Sequence, residues 1–570
     1  MKLNKIIQFV ILGNILIPLV LIANVLSQEV VDQADTLIKE QMYLNKQKEN
    51  FNNRKQQESK VFESKQIVVD TDRNEIECIQ IEVINIRGST LFDTDSFDNI
   101  KKPYLNHCNG LSNLTNLLNK ITNMYIDKGC VTSRAYLKQQ DLSDGTVDID
   151  ILEGKIEKIE FVNIQPLNFM NIYENEILNL RDLEVEIQQR DRLRSYDYNF
   201  ELIPGTQQGY SIVKIIANKV NSPFYGTFST NNFGSASTGK NQIALNTNYE
   251  NLFGFDDIIS LNFNTTNNIF KSHNYAKSVS VNYSFPIRRF LFDINYLYSK
   301  FNILSKNEFS NDIIIFGNSN TVSFKSNYKL YHGEKHSLEL NGAYTRKENK
   351  NYLTIFTDEG SGNLISTTTS LAQQSYVLAN AMVGIKHIYQ IYGLNYYTNF
   401  NIIQGLAKQS RIDNEIPQNS EFIKYELELS FAKYFEMRYK PTYNFSLMGQ
   451  ITNKNVFATD EISIGGPYSV RGFNSADIYG EKGFYIRNDF SLNSNIQNFR
   501  FSPYIGLDYG YIAHFKDYTQ KANILGSTVG FKSSYKDIFM DLFYNRPLAD
   551  NPHIKQLNSS FTGFTFSFNF

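Results

Sequence analysis

The 570 residues carry 56 Lys and Arg against 58 Asp and Glu, a formal charge of −2 that excludes the basic footprint of a nucleic-acid binder. No Trp accompanies 36 Tyr and 43 Phe, and the mean hydropathy is −0.35 despite that aromatic load. Aromatics mixed with Asn, Ser, Thr and Gly suit strands with one apolar and one wet face.

Lys2 and Lys5 precede a largely apolar run from Ile6 to Leu26, and Ser27 offers a small residue at a cleavage position. Residues 1–27 are therefore expected to be a secretory signal peptide, with Asn14 and Pro18 arguing against a permanent anchor. No later segment approaches a spanning helix, so a membrane location would require strands. In residues 28–66, Val30, Val31, Ala34, Leu37, Ile38 and Tyr43 recur at roughly helical spacing before a polar run, which predicts a short helix and a linker. Cys78, Cys108 and Cys130 fall in one region of an exported chain, where a disulfide between two of them can persist. Only His107 is near them, and the spacing matches no usual zinc pattern.

Residues 67–154 read as a small α+β module. Ile79, Ile81 and Val83 alternate with polar residues; Leu114, Leu117, Leu118, Ile121 and Tyr125 mark one face of a helix ending at Gly129. Strands are expected at Val131–Lys138 and where Val147, Ile149 and Ile151 alternate with Asp148 and Asp150. Residues 155–221 repeat the order: a strand from Ile156 to Ile164, helical segments over Met170–Leu180 and Leu183–Ser195, then strands Asn199–Ile203 and Tyr210–Val220.

The stretch Gly129-Cys-Val-Thr-Ser-Arg-Ala-Tyr-Leu-Lys-Gln-Gln-Asp-Leu-Ser143, with Asp150-Ile-Leu-Glu-Gly-Lys-Ile156 after it, resembles the first POTRA domain of the two-partner secretion transporters of the outer membrane. These are the hemolysin secretion and activation proteins, relatives of the outer-membrane barrel-assembly factors. The family usually has Tyr where this chain has Cys130. Its cysteine pattern, one at the first strand and one before the second helix, implies a disulfide between Cys78 and Cys108. The resemblance also implies that the segment after the signal peptide begins with a helix able to lie inside a barrel. Small POTRA sheets expose an edge where an extended client can add a strand through backbone hydrogen bonds; the alternative is that they are spacers or docking modules.

From residue 222 to 570 the period becomes two. Ile259, Leu261 and Phe263 alternate with Ser260, Asn262 and Asn264; Val279, Val281, Tyr283 and Phe285 with Ser280, Asn282 and Ser284; the chain ends Phe564-Thr-Phe-Ser-Phe-Asn-Phe570. Such runs between Asn/Gly/Ser/Asp turns predict antiparallel strands with greasy outer faces, hence a transmembrane β-barrel rather than a soluble sandwich. The terminal Phe570 resembles the signal by which barrel-assembly machinery recognises its clients. At roughly 9 to 11 residues per strand the segment allows about 14 to 18 strands, and the resemblance implies about 16.

Between two strand-like runs lies a glycine-punctuated loop, Gly465-Gly-Pro-Tyr-Ser-Val-Arg-Gly-Phe473, continuing to Gly483. Its Val470, Arg471, Gly472 and Phe473 resemble the motif at the tip of the family's sixth extracellular loop, which folds back into the lumen. A buried guanidinium needs an acceptor. In Tyr504-Ile-Gly-Leu-Asp-Tyr-Gly510, alternation puts Asp508, Gly506 and Gly510 on the lumen side, and the stretch resembles the family's aspartate-glycine motif on a late strand, with Leu507 as a departure. Asp489, lumenal by the same count, is a rival acceptor.

The resemblance implies a monomeric outer-membrane pore with periplasmic POTRA domains that exports a large secreted partner with a β-helical amino-terminal domain: an adhesin, hemolysin or contact-dependent toxin. A barrel-assembly factor usually has more than two POTRA domains and lacks the starting helix; a porin has no use for them. Neither nucleic acid nor a cofactor nor a metal is expected, and no catalytic residue: Gly234 and Gly239 read as turn residues, and the seven histidines lack metal spacing.

Overall fold

The computed structural model describes Gln66, Ile67 and residues 78–570, except 165–169, 236, 269, 307–311, 334, 356–368, 413–418, 474–477, 515–520 and 550–559. The expected signal peptide lies outside the described residues, as does the helix and linker of residues 28–66 apart from Gln66.

In the first module, Ile79–Ile81 and His107–Asn109 form a two-stranded antiparallel ribbon. A disulfide between Cys78 and Cys108 staples its end, the Cα atoms 5.3 Å apart. Val83–Arg87 then runs parallel to Thr146–Leu152, which also pairs antiparallel with Arg134–Leu137. The helix Leu111–Asp127 covers this sheet, burying Leu114, Leu117, Ile121 and Tyr125 against Ile84, Val147, Ile149 and Ile151. Each fully buried aliphatic side chain there contributes about 1.5–3 kcal/mol. Cys130 is a free thiol in this core, and burial pushes it up to about 11, with Glu153 and Asp182 adding to the effect.

Glu153 ties the module's end to its middle. Its carboxylate accepts from the amides of Thr90 and Leu91 at 2.7 and 2.9 Å and from the Tyr125 hydroxyl at 3.0 Å. Burial works against the charged form, yet the Thr90, Leu91 and Tyr125 donors hold the group below the usual carboxylate range.

The second module has the same connectivity: Lys155–Val162 parallel to Tyr210–Lys219, with Tyr196–Pro204 antiparallel beside it. One helix covers it, Leu180–Arg190. Met170–Asn179, expected to be helical, is instead a turn-rich segment. Asn175 there has φ 67°, and Ile177 bridges to Lys155, so the chain hugs the sheet edge and its apolar residues reach the core without a helix.

The polar side of Leu180–Arg190 is also covered: Glu184, Glu186, Gln188, Gln189 and Arg190 are buried. Their partners include residues at the short-turn rim of a barrel. Arg190 Nε lies 3.3 Å from Asp256, Arg190 also pairs with Glu186, Asp182 pairs with Arg289, and Lys329 donates to Gln188. Glu250 accepts from the amides of Arg194 and Ser195 at 2.7 and 2.8 Å.

That barrel is closed and antiparallel, built of 16 long strands from Phe224–Asn231 to Phe561–Asn569. The seam pairs Phe228 with Phe568, and Gly226 and Phe570 exchange backbone bonds of 2.9 and 3.0 Å, so the last residue is part of the wall. Leu261 is 49% exposed and Asn262 9%, and Val322 47% against 4% for Thr321, so apolar side chains point outward and polar ones inward. This inversion of a soluble protein's pattern belongs to a barrel with a lipid outside and a wet lumen.

Two outcomes test the first module. Non-reducing electrophoresis should show a mobility shift on reduction that survives Cys130→Ser and is lost in Cys78→Ser. The folded Glu153 carboxyl titrates below its unfolded value, so its stabilisation is complete above the unfolded pKa and is lost as pH falls through the folded one. The urea midpoint of this module, followed by pulse proteolysis of the whole protein, should fall as the pH drops below the free glutamate value of about 4.3. Glu153→Gln should flatten that dependence and cost about 1–3 kcal/mol.

Candidate functional site

Residues 453–481 connect the barrel strands Thr442–Thr452 and Lys482–Ser491. Ile462–Ile464 pairs antiparallel with Ile478–Gly480, and residues 465–473 form the tip beyond this short ribbon. Gly465, Gly466 and Gly472 have φ of 98°, 89° and 117°, a region that a side chain would strain, and these residues turn the tip back on itself. Ser469 fastens the turn by donating its hydroxyl to the Gly465 carbonyl at 2.9 Å.

The tip is inside the barrel. Val470 and Phe473 are buried with Ile462 and Ile464 of the ribbon and with Ile512 and Ile524 of the wall strands Phe499–Ala513 and Lys521–Tyr535. This apolar patch on the inner wall gives the tip a place to seat.

Arg471 is the polar centre. Its Nε and Nη2 donate to the two oxygens of Asp508 at 2.6 and 2.7 Å, and its own backbone amide donates to Asp508 at 2.9 Å. This fork-on-fork arrangement fixes direction as well as charge. Its Nη1 meets Asp489 at 2.6 Å, so the two candidate acceptors share one guanidinium instead of competing for it. The Asp508 side chain is wholly buried and that of Asp489 is 23% exposed, which makes Asp508 the carboxylate that depends on the pair. Leu507 is 48% exposed on the outer face, as the alternation requires.

At three positions the wall under the tip carries no side chain, because the residue is glycine. A Cβ at Gly526 would sit 1.6 Å from the Arg471 carbonyl oxygen, and one at Gly506 2.4 Å from Arg471 Nη2. Gly510 faces Val470 in the same way, at 2.8 Å. Sequence reasoning identified Gly510 and missed Gly526, although a glycine inside a strand is itself a sign of close backbone approach. It also missed Arg487, whose Nη1 donates to the Pro467 carbonyl at 3.0 Å and braces the tip from the strand that carries Asp489.

Two substitutions separate charge from fit. Asp508→Asn should weaken the seating of the loop by about 3–5 kcal/mol, the usual effect of removing one partner of a buried pair. Gly526→Val should displace the tip with every charge intact. In both, the loop should become cleavable by an externally added protease that leaves the native loop uncut.

The family model described as haemolysin secretion/activation protein ShlB/FhaC/HecB matches residues 209–533, and the ShlB-type POTRA domain model matches residues 79–154. The chain is 28% identical to the outer membrane transporter CdiB of Dickeya dadantii, over 80% of each chain. It is 25% identical to the hemolysin transporter protein HpmB of Proteus mirabilis, over 82% of this chain and 81% of that one. The solved structure of CdiB from Escherichia coli superposes with a TM-score of 0.81 at 22% identity, covering 95% of this chain and 98% of that one.

Proposed function

The chain belongs to the haemolysin secretion/activation protein family ShlB/FhaC/HecB, and from that premise we propose that it exports one large secreted partner through its barrel and holds the lumen shut with Arg471 until the partner arrives. It is an outer-membrane transporter of the two-partner secretion type with its POTRA region in the periplasm. The finer reading rests above all on Arg471, whose pairing with Asp508 seats a loop inside a barrel wide enough for a water-filled channel.

The client in this reading is an unfolded chain with a β-helical amino-terminal domain. Backbone recognition is supported by two three-stranded sheets with edge strands, among them Arg134–Leu137 and Tyr196–Pro204. Folding of the client outside supplies the driving force. The second module is mounted on the barrel rim through Asp182–Arg289 and Arg190–Asp256, and that contact supports a reading in which the client is received beside the entrance. Similarity over about 80% of each chain to proteins named as transporters favours an exporter over a factor that inserts other barrels. The barrel-assembly machinery would act on this chain during its own biogenesis, through the strand Phe561–Asn569. The working unit is one barrel.

The test is to co-express the chain with an amino-terminal fragment of a large exoprotein sought in a neighbouring reading frame and to measure secretion of that fragment. Arg471→Ala should insert normally, judged by heat-modifiable mobility, and should abolish or sharply reduce export of the fragment; Arg471→Lys, which keeps the charge without the planar fork, should fall between. Normal export by Arg471→Ala would refute the lock.

A further inference from the structure

The loop has a second attachment, at its opposite end and to a different part of the wall. Val456, Phe457, Ala458, Thr459 and Asp460 are all buried. Phe457 packs on Tyr376, ring centroids 4.6 Å apart, and on Leu378; Val456 packs on Ile403 and Phe422. Asp460 then meets polar groups from four strands. Asn380 of Thr369–Ile391 donates to its carboxylate at 3.2 Å, and Gln450 of Thr442–Thr452 donates to its backbone carbonyl at 2.7 Å. Lys347 of His336–Ile355 and Lys424 of Ile423–Tyr434 lie 3.5 and 3.6 Å from the same carboxylate oxygen. Lys424 also donates to the Asp460 carbonyl at 3.2 Å and pairs with Glu426 at 3.1 Å.

The two attachments differ in kind. At the stem, Lys347 and Lys424 are balanced by Asp460 and Glu426. Both lysines are buried, so pulling Asp460 away would strand charge from two strands at once. Apolar packing on either side of Phe457 adds to the hold. At the tip a single guanidinium faces two carboxylates, so the departure of one side chain undoes the whole charged attachment. Between the two lies Glu461, one residue from the clasp and one from the ribbon.

We infer that Asp460 is a positioning residue, the fixed end of the loop, about which the ribbon Ile462–Ile464 and Ile478–Gly480 turns together with its tip when Arg471 leaves Asp508. This rests on the lock proposed above. Opening then keeps the stem on the wall and swings the tip away from Gly506, Gly510 and Gly526, so the lumen clears on one side and the loop never leaves the barrel.

Two engineered disulfides in the full-length protein, each in a Cys130→Ser background, test this by conductance in planar bilayers. Leu378→Cys with Phe457→Cys joins the stem covalently to the wall where the two side chains already pack, keeps Asp460 and its lysines, and should leave opening events as frequent as in the parent. Val470→Cys with Gly510→Cys ties down the tip and should lose them until reductant is added. Loss of opening in the stem pair, restored by reductant, would overturn the fixed end while leaving the lock intact. Persistent opening in the oxidised tip pair would refute the lock itself. As a second measure that needs no disulfide, Asp460→Glu should retain the closed level of the parent and Asp460→Asn should lose it; identical behaviour of the two would also overturn the proposal.

Discussion

A backbone that crosses a bilayer as strands has nowhere to leave an N–H unpaired, and most of this molecule follows from that constraint. The wall closes on itself, down to the bonds between Gly226 and Phe570. Closure at 16 strands encloses a lumen too wide for wall side chains to fill, so the inner face is polar and the outer face apolar. A hole of that size in an outer membrane needs an occupant. The long loop supplies one, and a charged side chain brought inside a protein must be met by opposite charge. Arg471, Asp508 and Asp489 are that meeting.

The same rule governs the junction below. The Leu180–Arg190 helix has an apolar side for its own sheet, and its polar side would ordinarily face water. Here that side is buried and finds Asp256, Arg289 and Lys329 on the barrel rim. Tilting the module would break several buried polar contacts together, so it acts as part of the barrel's mouth. The loop and the module thus approach the lumen from opposite ends.

Two departures from the family pattern turn out to be mild for a physical reason. Leu507, the departure from the family's aspartate-glycine motif, points outward, where any large apolar side chain meets the same surroundings. Cys130 stands where the family usually has Tyr. It fills a small space in the first module's core, and burial keeps its thiol protonated.

Much of this was legible in the residues, because it is carried by periodicity. A period of two with Phe and Tyr on one side and Asn, Ser and Thr on the other decides the barrel, its inner and outer faces, and therefore the lumenal position of Asp508 and Asp489. The family motifs added the disulfide partners and the tip of the loop. What periodicity does not carry is which distant strands face each other across a lumen. That Asp508 and Asp489 share one guanidinium, that Gly526 forms the floor under Arg471, and that Lys347, Asn380, Lys424 and Gln450 converge on Asp460 depend on the curvature and register of the closed sheet. The turn-rich path of Met170–Asn179, where a helix is expected, was decided in the same way, by the bridge to Lys155. Local chemistry determined each side chain's face; only closure of the barrel determined its partner.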